Sequence, residues 1–290
     1  MPHPPELEQQ KIADFLDYKT QQIDQLIEKK KALIEKLNEQ RIAVITQAVT
    51  KGLDKNAQMK PSGVDWLGDV PVHWVIKRLR FIINTTKGYA FKSIDFSSEG
   101  VLVVKASDIK NKTIIKSDVF LPDVFSQTHA QVMLQENDVV ISTVGSTPDV
   151  LNSAVGQIGK VPNDCSGALL NQNTVILKPH SGLNNYYLMH LLSATAFREH
   201  LDLHAHGTAN QASLSLEDIL NFRAAIPPYD EQNIIAEYLN ITIRRINGLI
   251  NSANKVIERL EEYRSAIITD AVTGKIDISN IKIPVTKDPV

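Results

Sequence analysis

Apolar residues recur at helical spacing near both ends of the chain and fall into short β-like runs between. The two helical stretches are copies. Residues 4–54 reappear at 227–277 without a gap, at a constant offset of 223, pairing Pro4/Pro227, Glu8/Glu231, Gln9/Gln232, Ala13/Ala236, Leu16/Leu239, Ile23/Ile246, Leu37/Leu260, Arg41/Arg264 and Ala48/Ala271. Prolines at the first helical position, acids in the first turn (Glu6, Glu8; Asp230, Glu231) and Gly52 and Gly274 past the end mark each copy as one long helix. A 3,4 spacing selects Leu16, Ile23, Leu26, Leu33, Leu37 and Val44 in the first copy. In the second it selects Leu239, Ile246, Leu249, Val256, Leu260 and Ile267, while Ile27, Ile34, Ile250 and Ile257 widen the stripe. Such a seam, sustained over about four heptads, needs a partner along its length. The two copies are therefore expected to pair as an antiparallel coiled coil within one chain, with Lys30 at a seam position whose counterpart in the second copy is Ala253, leaving room for its stem to snorkel outward.

The pattern changes between the copies. Residues 55–63 are polar with Pro and Gly and read as a linker. Trp66, Pro71, Trp74 and Leu79 read as an entry segment packing onto a core. β-rich runs follow at 81–83, 101–104, 138–141, 154–158 and 174–177, and helical patterns at 184–203 and 216–221. Strands first and helices later predict an α+β fold with a mostly antiparallel or mixed sheet. The domains are then a first spacer helix (1–54), the linker (55–63), one α/β domain (64–226), a second spacer helix (227–277) and a tail (278–290).

Composition narrows the class. The 290 residues are 43% hydrophobic and 22% charged, as in soluble globular proteins. There is no secretory signal, and no apolar run approaches a membrane span. A single cysteine, Cys165, excludes an internal disulfide and suits a reducing cytoplasm. The net charge of −2 gives no general field for nucleic acid, but charge is unevenly placed. Residues 77–116 carry nine basic against three acidic side chains, and 117–226 carry four against ten. A local basic face is what phosphate contact requires, although solvated surface lysines would give the same count.

Candidate chemistry is sparse. Ile226-Pro-Pro-Tyr229 approaches the tetrapeptide of amino-group DNA methyltransferases, but Ile226 cannot accept the target amine's hydrogen bonds, so it reads as a helix start. His200, His204 and His206 could hold a metal, yet they lack an HExxH frame. Polar loops remain, and they supply the candidate DNA-contacting residues: Lys87, Tyr89, Lys92, Lys105, Ser107, Lys110, Lys112, Ser142, Thr143, Ser146, Thr208, Asn210 and Gln211. Lysine reads guanine, Asn and Gln read adenine, and hydroxyls serve bases or phosphates.

The order Trp66-Leu-Gly-Asp-Val-Pro-Val-His-Trp74, Asp138-Val-Val-Ile-Ser142, Leu170-Asn-Gln-Asn173, Gly207-Thr-Ala-Asn-Gln-Ala-Ser-Leu-Ser215 and Ile226-Pro-Pro-Tyr-Asp-Glu-Gln232 resembles the specificity subunit of Type I restriction-modification systems. That family places a target-recognition domain before each of two spacer helices, whereas this sequence starts at the first helix and holds one such domain. The resemblance implies a non-catalytic subunit that reads double-stranded DNA, with modification (methyltransferase) subunits and restriction subunits as partners. It places S-adenosylmethionine on the methyltransferase and no cofactor on this chain. A second recognition domain would come from a homodimer reading a palindromic bipartite site; the chain could instead be a fragment. A coiled-coil scaffold with a protein-binding insert, and a metal-dependent enzyme using His200, His204 and His206, are the other readings.

Overall fold

A computed structural model of the chain describes residues 4–145, 155–208 and 211–278. The polypeptide divides into two compact units, one of Met1–Arg41 with Thr242–Val290 and the other of Ile42–Ile241. The two long helices run from Glu6 to Lys51 and from Tyr229 to Val272, so each contributes to both units.

In the first unit the helices are antiparallel. Arg264 Nε donates to Asp24 Oδ1 at 3.0 Å, and Arg41 Nη1 donates to Asn247 Oδ1 at 3.1 Å, so position rises along one helix as it falls along the other. Phe15, Ile23, Ile27, Ile267 and Ala271 form the buried core, with Leu16, Ile257 and Leu260 packed against it. Gly274, at φ +71, turns the chain back so that Ile276 and Ile278 join this cluster.

The seam corrects the predicted one in every second row. Ile23, Leu37, Leu239, Ile246 and Ile267 are buried as expected, and Leu16, Val44 and Leu260 are half-buried. Leu26, Leu33, Leu249 and Val256 are 38–51% exposed. Their places are taken by the next residues: Ile27 is buried, and Ile34, Ile250 and Ile257 are half-buried. The repeat is 4,3 from Ile23, not 3,4. Both candidates at each step were large and apolar, and only the partner helix distinguishes them.

The second unit is built on a six-stranded mixed sheet. Its order is 83–87, 174–179, 139–142, 158–160, 113–114 and 109–110, all neighbours antiparallel except 158–160 with 113–114. Val139, Val140, Ile141, Ile176 and Leu177 are buried along the two central strands, as residues covered on both faces must be. A smaller set pairs 101–104 with 169–170 in parallel and with 120–121 antiparallel. Strand 223–226 pairs with 75–78 and leads straight into the second long helix. Trp74 is fully buried, and Trp66 stacks on Phe222 at 5.1 Å between ring centres.

Three local expectations change. Residues 59–61, read as linker, form a strand against 69–71. Residues 79–81 make a 3-10 turn, and the strand expected from Phe81 begins at Ile83. The helix expected over 184–203 is two, Asn185–Leu192 and Thr195–His204, because Ala194 adopts extended backbone between them. Asn184 caps the first, its side chain accepting from the Tyr187 amide. No described helix is long and apolar enough to cross a membrane.

Candidate nucleic-acid interface

Sheet register brings separate loops to one end of the central strands. Lys87 pairs with Val175, and Ser142 pairs with Thr174, so the C-terminal ends of strands 83–87 and 139–142 flank the start of strand 174–179. The turn Asn171-Gln172-Asn173 sits just before that start. Its backbone is pinned from three directions: Asn171 N donates to Val104 O at 2.9 Å, Gln172 N to Tyr89 O at 2.9 Å, and Thr143 N to Asn173 O at 2.8 Å. The Thr174 hydroxyl closes the turn on Asn171 O. Asn173 takes φ +67, which Asn tolerates better than most residues. Gln172 and Asn173 are exposed, so two amide side chains stand on a fixed backbone.

Gly88 makes the close approach feasible. A Cβ there would lie 1.9 Å from Asn171 O, so no other residue fits without moving the turn. Tyr89 follows, 46% exposed, its amide bonded to Leu170 O at 2.9 Å. Its ring meets His129 edge-on at 4.3 Å and Phe91 at 5.1 Å, while His129 stacks on Phe125. An aromatic held this firmly yet left in solvent can contact bases at little ordering cost.

The predicted residues sort as follows. Lys87, Tyr89 and the half-buried Thr143 gather around the 171–173 turn. Lys105 follows Val104, which pairs with Leu170, and so lies level with Asn171. Lys92 is exposed ahead of a 3-10 turn, and Ser107 is exposed with its hydroxyl on Asp108. Strand 206–208 pairs through 211–213 to 144–145, which brings the backbone of Thr208 and Gln211 toward the end of the Thr143 segment. Ser146 and Asn210 lie outside the described residues.

Three of the predicted residues stand apart from this cluster. Ser142 is fully buried, its hydroxyl accepting from Gln157 N at 3.0 Å, so it is a structural group. Lys110 and Lys112 sit on the hairpin bonded to Lys160, at the far end of strand 158–160 from Gln157, and do not join the cluster. Gln172 and Asn173 are not among the contacts expected from the sequence. The available signal was a run of three amides between two apolar segments, with Asn at the one position needing positive φ.

The histidine reading does not gain support. His200 bonds Asp218 O through Nε2, and His204 Nδ1 donates to His200 O, which uses one nitrogen of each ring. No group of three or more His, Cys, Asp or Glu that could hold a metal occurs among the described residues.

A polar joint ties this domain to the first turns of the second long helix. Gln232, with no exposure, donates from Nε2 to Gly182 O (3.0 Å) and Pro227 O (2.9 Å) and accepts from Asn184 N (2.7 Å). Glu231 Oε2 takes His73 Nε2 at 2.7 Å and Trp74 Nε1 at 3.1 Å. His190 Nε2 bonds Asn240 Oδ1 at 2.9 Å, and burial pushes its pKa down. The buried Tyr187 hydroxyl donates to Ala225 O, and burial raises its pKa strongly.

The fold is thus a mixed-sheet domain that gathers exposed amide and aromatic side chains at one end of its strands. Residues 71–259 match the Type I restriction modification DNA specificity domain, and the chain belongs to that family. The Type I restriction enzyme MjaVIII specificity subunit of Methanocaldococcus jannaschii is 26% identical over 284 residues, covering 97% of this chain and 63% of that protein. The EcoKI specificity subunit of Escherichia coli K12 is 24% identical over 216 residues, 72% of this chain and 44% of that protein. A solved structure from work on assembly and conformational transition of the type I R-M system shares the fold with TM-score 0.72 at 16% identity, covering 95% of this chain and 62% of that one. The HsdS subunit from Thermoanaerobacter tengcongensis gives 0.55 at 15%, covering 95% and 61%. This chain thus spans less than two thirds of the length of these relatives.

Proposed function

We propose that the chain is a DNA sequence-recognition subunit of a Type I restriction-modification complex, directing modification and restriction subunits to a bipartite site. The observation that carries this is the convergence of Lys87, Tyr89, Thr143, Gln172 and Asn173 at one end of a rigid sheet, in a chain of the specificity family. Cations supply phosphate attraction, and exposed amides and an aromatic supply contacts to bases.

The chain is read as non-catalytic and cytoplasmic, with S-adenosylmethionine on the modification subunit. Calorimetric titration of the isolated chain should give no cofactor binding; a micromolar Kd would overturn that part. One recognition domain reads a half-site of about three or four base pairs, at about 1–3 kcal/mol of discrimination each. A second copy of the chain, related by a two-fold axis, is proposed to supply the other half. Light scattering with and without the modification subunit tests this, and a monomer in both conditions rejects the dimer.

For the interface itself, Gly88→Ala should displace the 171–173 turn and abolish sequence preference in a duplex-binding assay of the assembled complex. Lys87→Ala should reduce the salt slope of binding by about one unit. Unchanged preference in the first and unchanged slope in the second would place the DNA contacts elsewhere.

A further inference from the structure

The segment 171–173 carries three amide side chains, and the fold accounts for two of them. Asn171 is half-buried, and its Oδ1 accepts from the Gln172 amide at 2.8 Å, so this side chain holds the turn itself. Asn173 stands at φ +67, a conformation Asn tolerates better than most residues. Gln172 has neither duty. Its backbone is not left-handed, its side chain is exposed, and that side chain makes no hydrogen bond among the described residues.

The backbone beneath it is nonetheless firmly held. The Gln172 amide donates to Tyr89 O at 2.9 Å as well as to Asn171 Oδ1. Gly88 N donates to Thr174 O and Tyr89 N to Leu170 O, each at 2.9 Å, so residues 88–89 are bonded to both arms of the turn. A side chain on such a base gives up only its own rotamer freedom when it binds. It also stands at the end of the sheet where Lys87 and Tyr89 gather.

The chemistry of the side chain selects a base. A primary amide offers a donor and an acceptor side by side. In the major groove adenine presents the matching pair, its N6 amino group and N7, whereas guanine presents acceptors only and cytosine a lone donor. Resting on the DNA-recognition reading, we propose that Gln172 is a specificity-determining residue that reads one adenine of the half-site. Oε1 accepts from adenine N6, and Nε2 donates to N7. Contacts to phosphate position the protein on any sequence, so this choice of base is separate from the salt-dependent part of binding.

The test selects duplexes from a randomised pool with the full chain and its modification subunit, comparing wild type, Gln172→Ala and Gln172→Glu. Wild type should prefer A·T at one position where Gln172→Ala loses about tenfold of that preference. The salt slope should not change, because no phosphate contact is removed. Gln172→Glu keeps the side-chain length but only accepts hydrogen bonds, so it should move the same position toward C·G. A misfolded turn loses a preference but does not gain another. Unchanged preferences in Gln172→Ala would overturn the assignment, as would a loss at a position that is not A·T or a Gln172→Glu variant that gains no C·G. Weaker binding to every duplex with a lower salt slope would also end it, since the residue would then act on the DNA backbone. A wild-type complex that enriches no sequence would reject the recognition reading itself, before any variant is compared.

Discussion

The two long helices begin with closely related sequences and meet different surroundings. At the start of the second helix Gln232, Ile235, Ala236 and Leu239 are 0–3% exposed. Their counterparts at the start of the first helix, Gln9, Ile12, Ala13 and Leu16, are exposed or half-buried. Yet the local structure is the same. Gln9 Nε2 donates to Pro4 O at 2.8 Å, as Gln232 Nε2 does to Pro227 O at 2.9 Å. Only Gln232 also holds Gly182 O and Asn184 N. The far ends of the copies differ likewise: Val49 is fully buried, and Val272 is 56% exposed. A helix start and its internal bond follow from local sequence. Burial is conferred by whatever packs on it, and here the mixed-sheet domain covers one copy of each end.

That comparison can be broken most sharply at the glutamines. Gln232→Ala should cost about 3 kcal/mol, because it empties a fully buried side-chain site, strands the buried Pro227 carbonyl and removes the partners of the half-buried Asn184 amide and of the Gly182 carbonyl. Gln9→Ala should cost under about 0.5 kcal/mol, since water replaces its single bond. Denaturant unfolding of both variants decides it, and equal losses would mean the joint is not what stabilises the second helix start.

The seam gives the next effect. Ile27→Ala should lose about 2 kcal/mol, whereas Leu26→Ala should lose well under 1, although the two are adjacent and similarly apolar. The reverse order would restore the 3,4 seam. At the helix ends, Gly52→Ala should cost more than Gly274→Ala. Both have positive φ, but only at Gly52 would the added carbon sit 3.2 Å from the Trp74 ring and the Glu231 carboxylate. The expected costs are about 2 and 1 kcal/mol, and equal Tm shifts would remove the distinction.

The smallest effect concerns pH. His190 is held below its ordinary pKa by burial, with the Asn240 bond opposing. The unfolded chain therefore binds a proton more readily, so this contribution is present above the unfolded value and is lost as pH falls through the folded one. The first helix carries Asp17 where the second carries Asn240. Asn240→Asp should raise the His190 pKa and flatten the loss of stability below about pH 6.5. Unfolding curves from pH 7 to 5 that steepen in the variant would contradict this.

Much of the architecture was legible in the chain. The gapless repeat, the prolines before Glu8 and Glu231 and the glycines at 52 and 274 placed both helices, because nucleation, capping and left-handed turns depend on residues within a few positions. The strands at 101–104, 139–142 and 174–179 were legible for a similar reason: their β-rich apolar runs lie between turn residues. The site was less legible. Residue type singles out Lys87, Tyr89 and Lys105, but equally Ser142, which is buried, and Lys110 and Lys112, which stand at the other end of the sheet.

Sequence by itself determined the two long helices and the longer apolar strands, that one helical unit occurs twice, and where positive charge accumulates. Tertiary structure alone decided which of Leu26 and Ile27 faces the partner helix, since neighbouring large apolar residues are equally able to fill a seam. It also decided that Gly88 must be glycine, because the obstructing atom, Asn171 O, lies 83 positions away in the chain. The grouping of Tyr89, Thr143 and Gln172 has the same origin. It is set by the registers of strand 174–179 with both its neighbours, and strand register is fixed by long-range packing of side chains, not by any residue read alone.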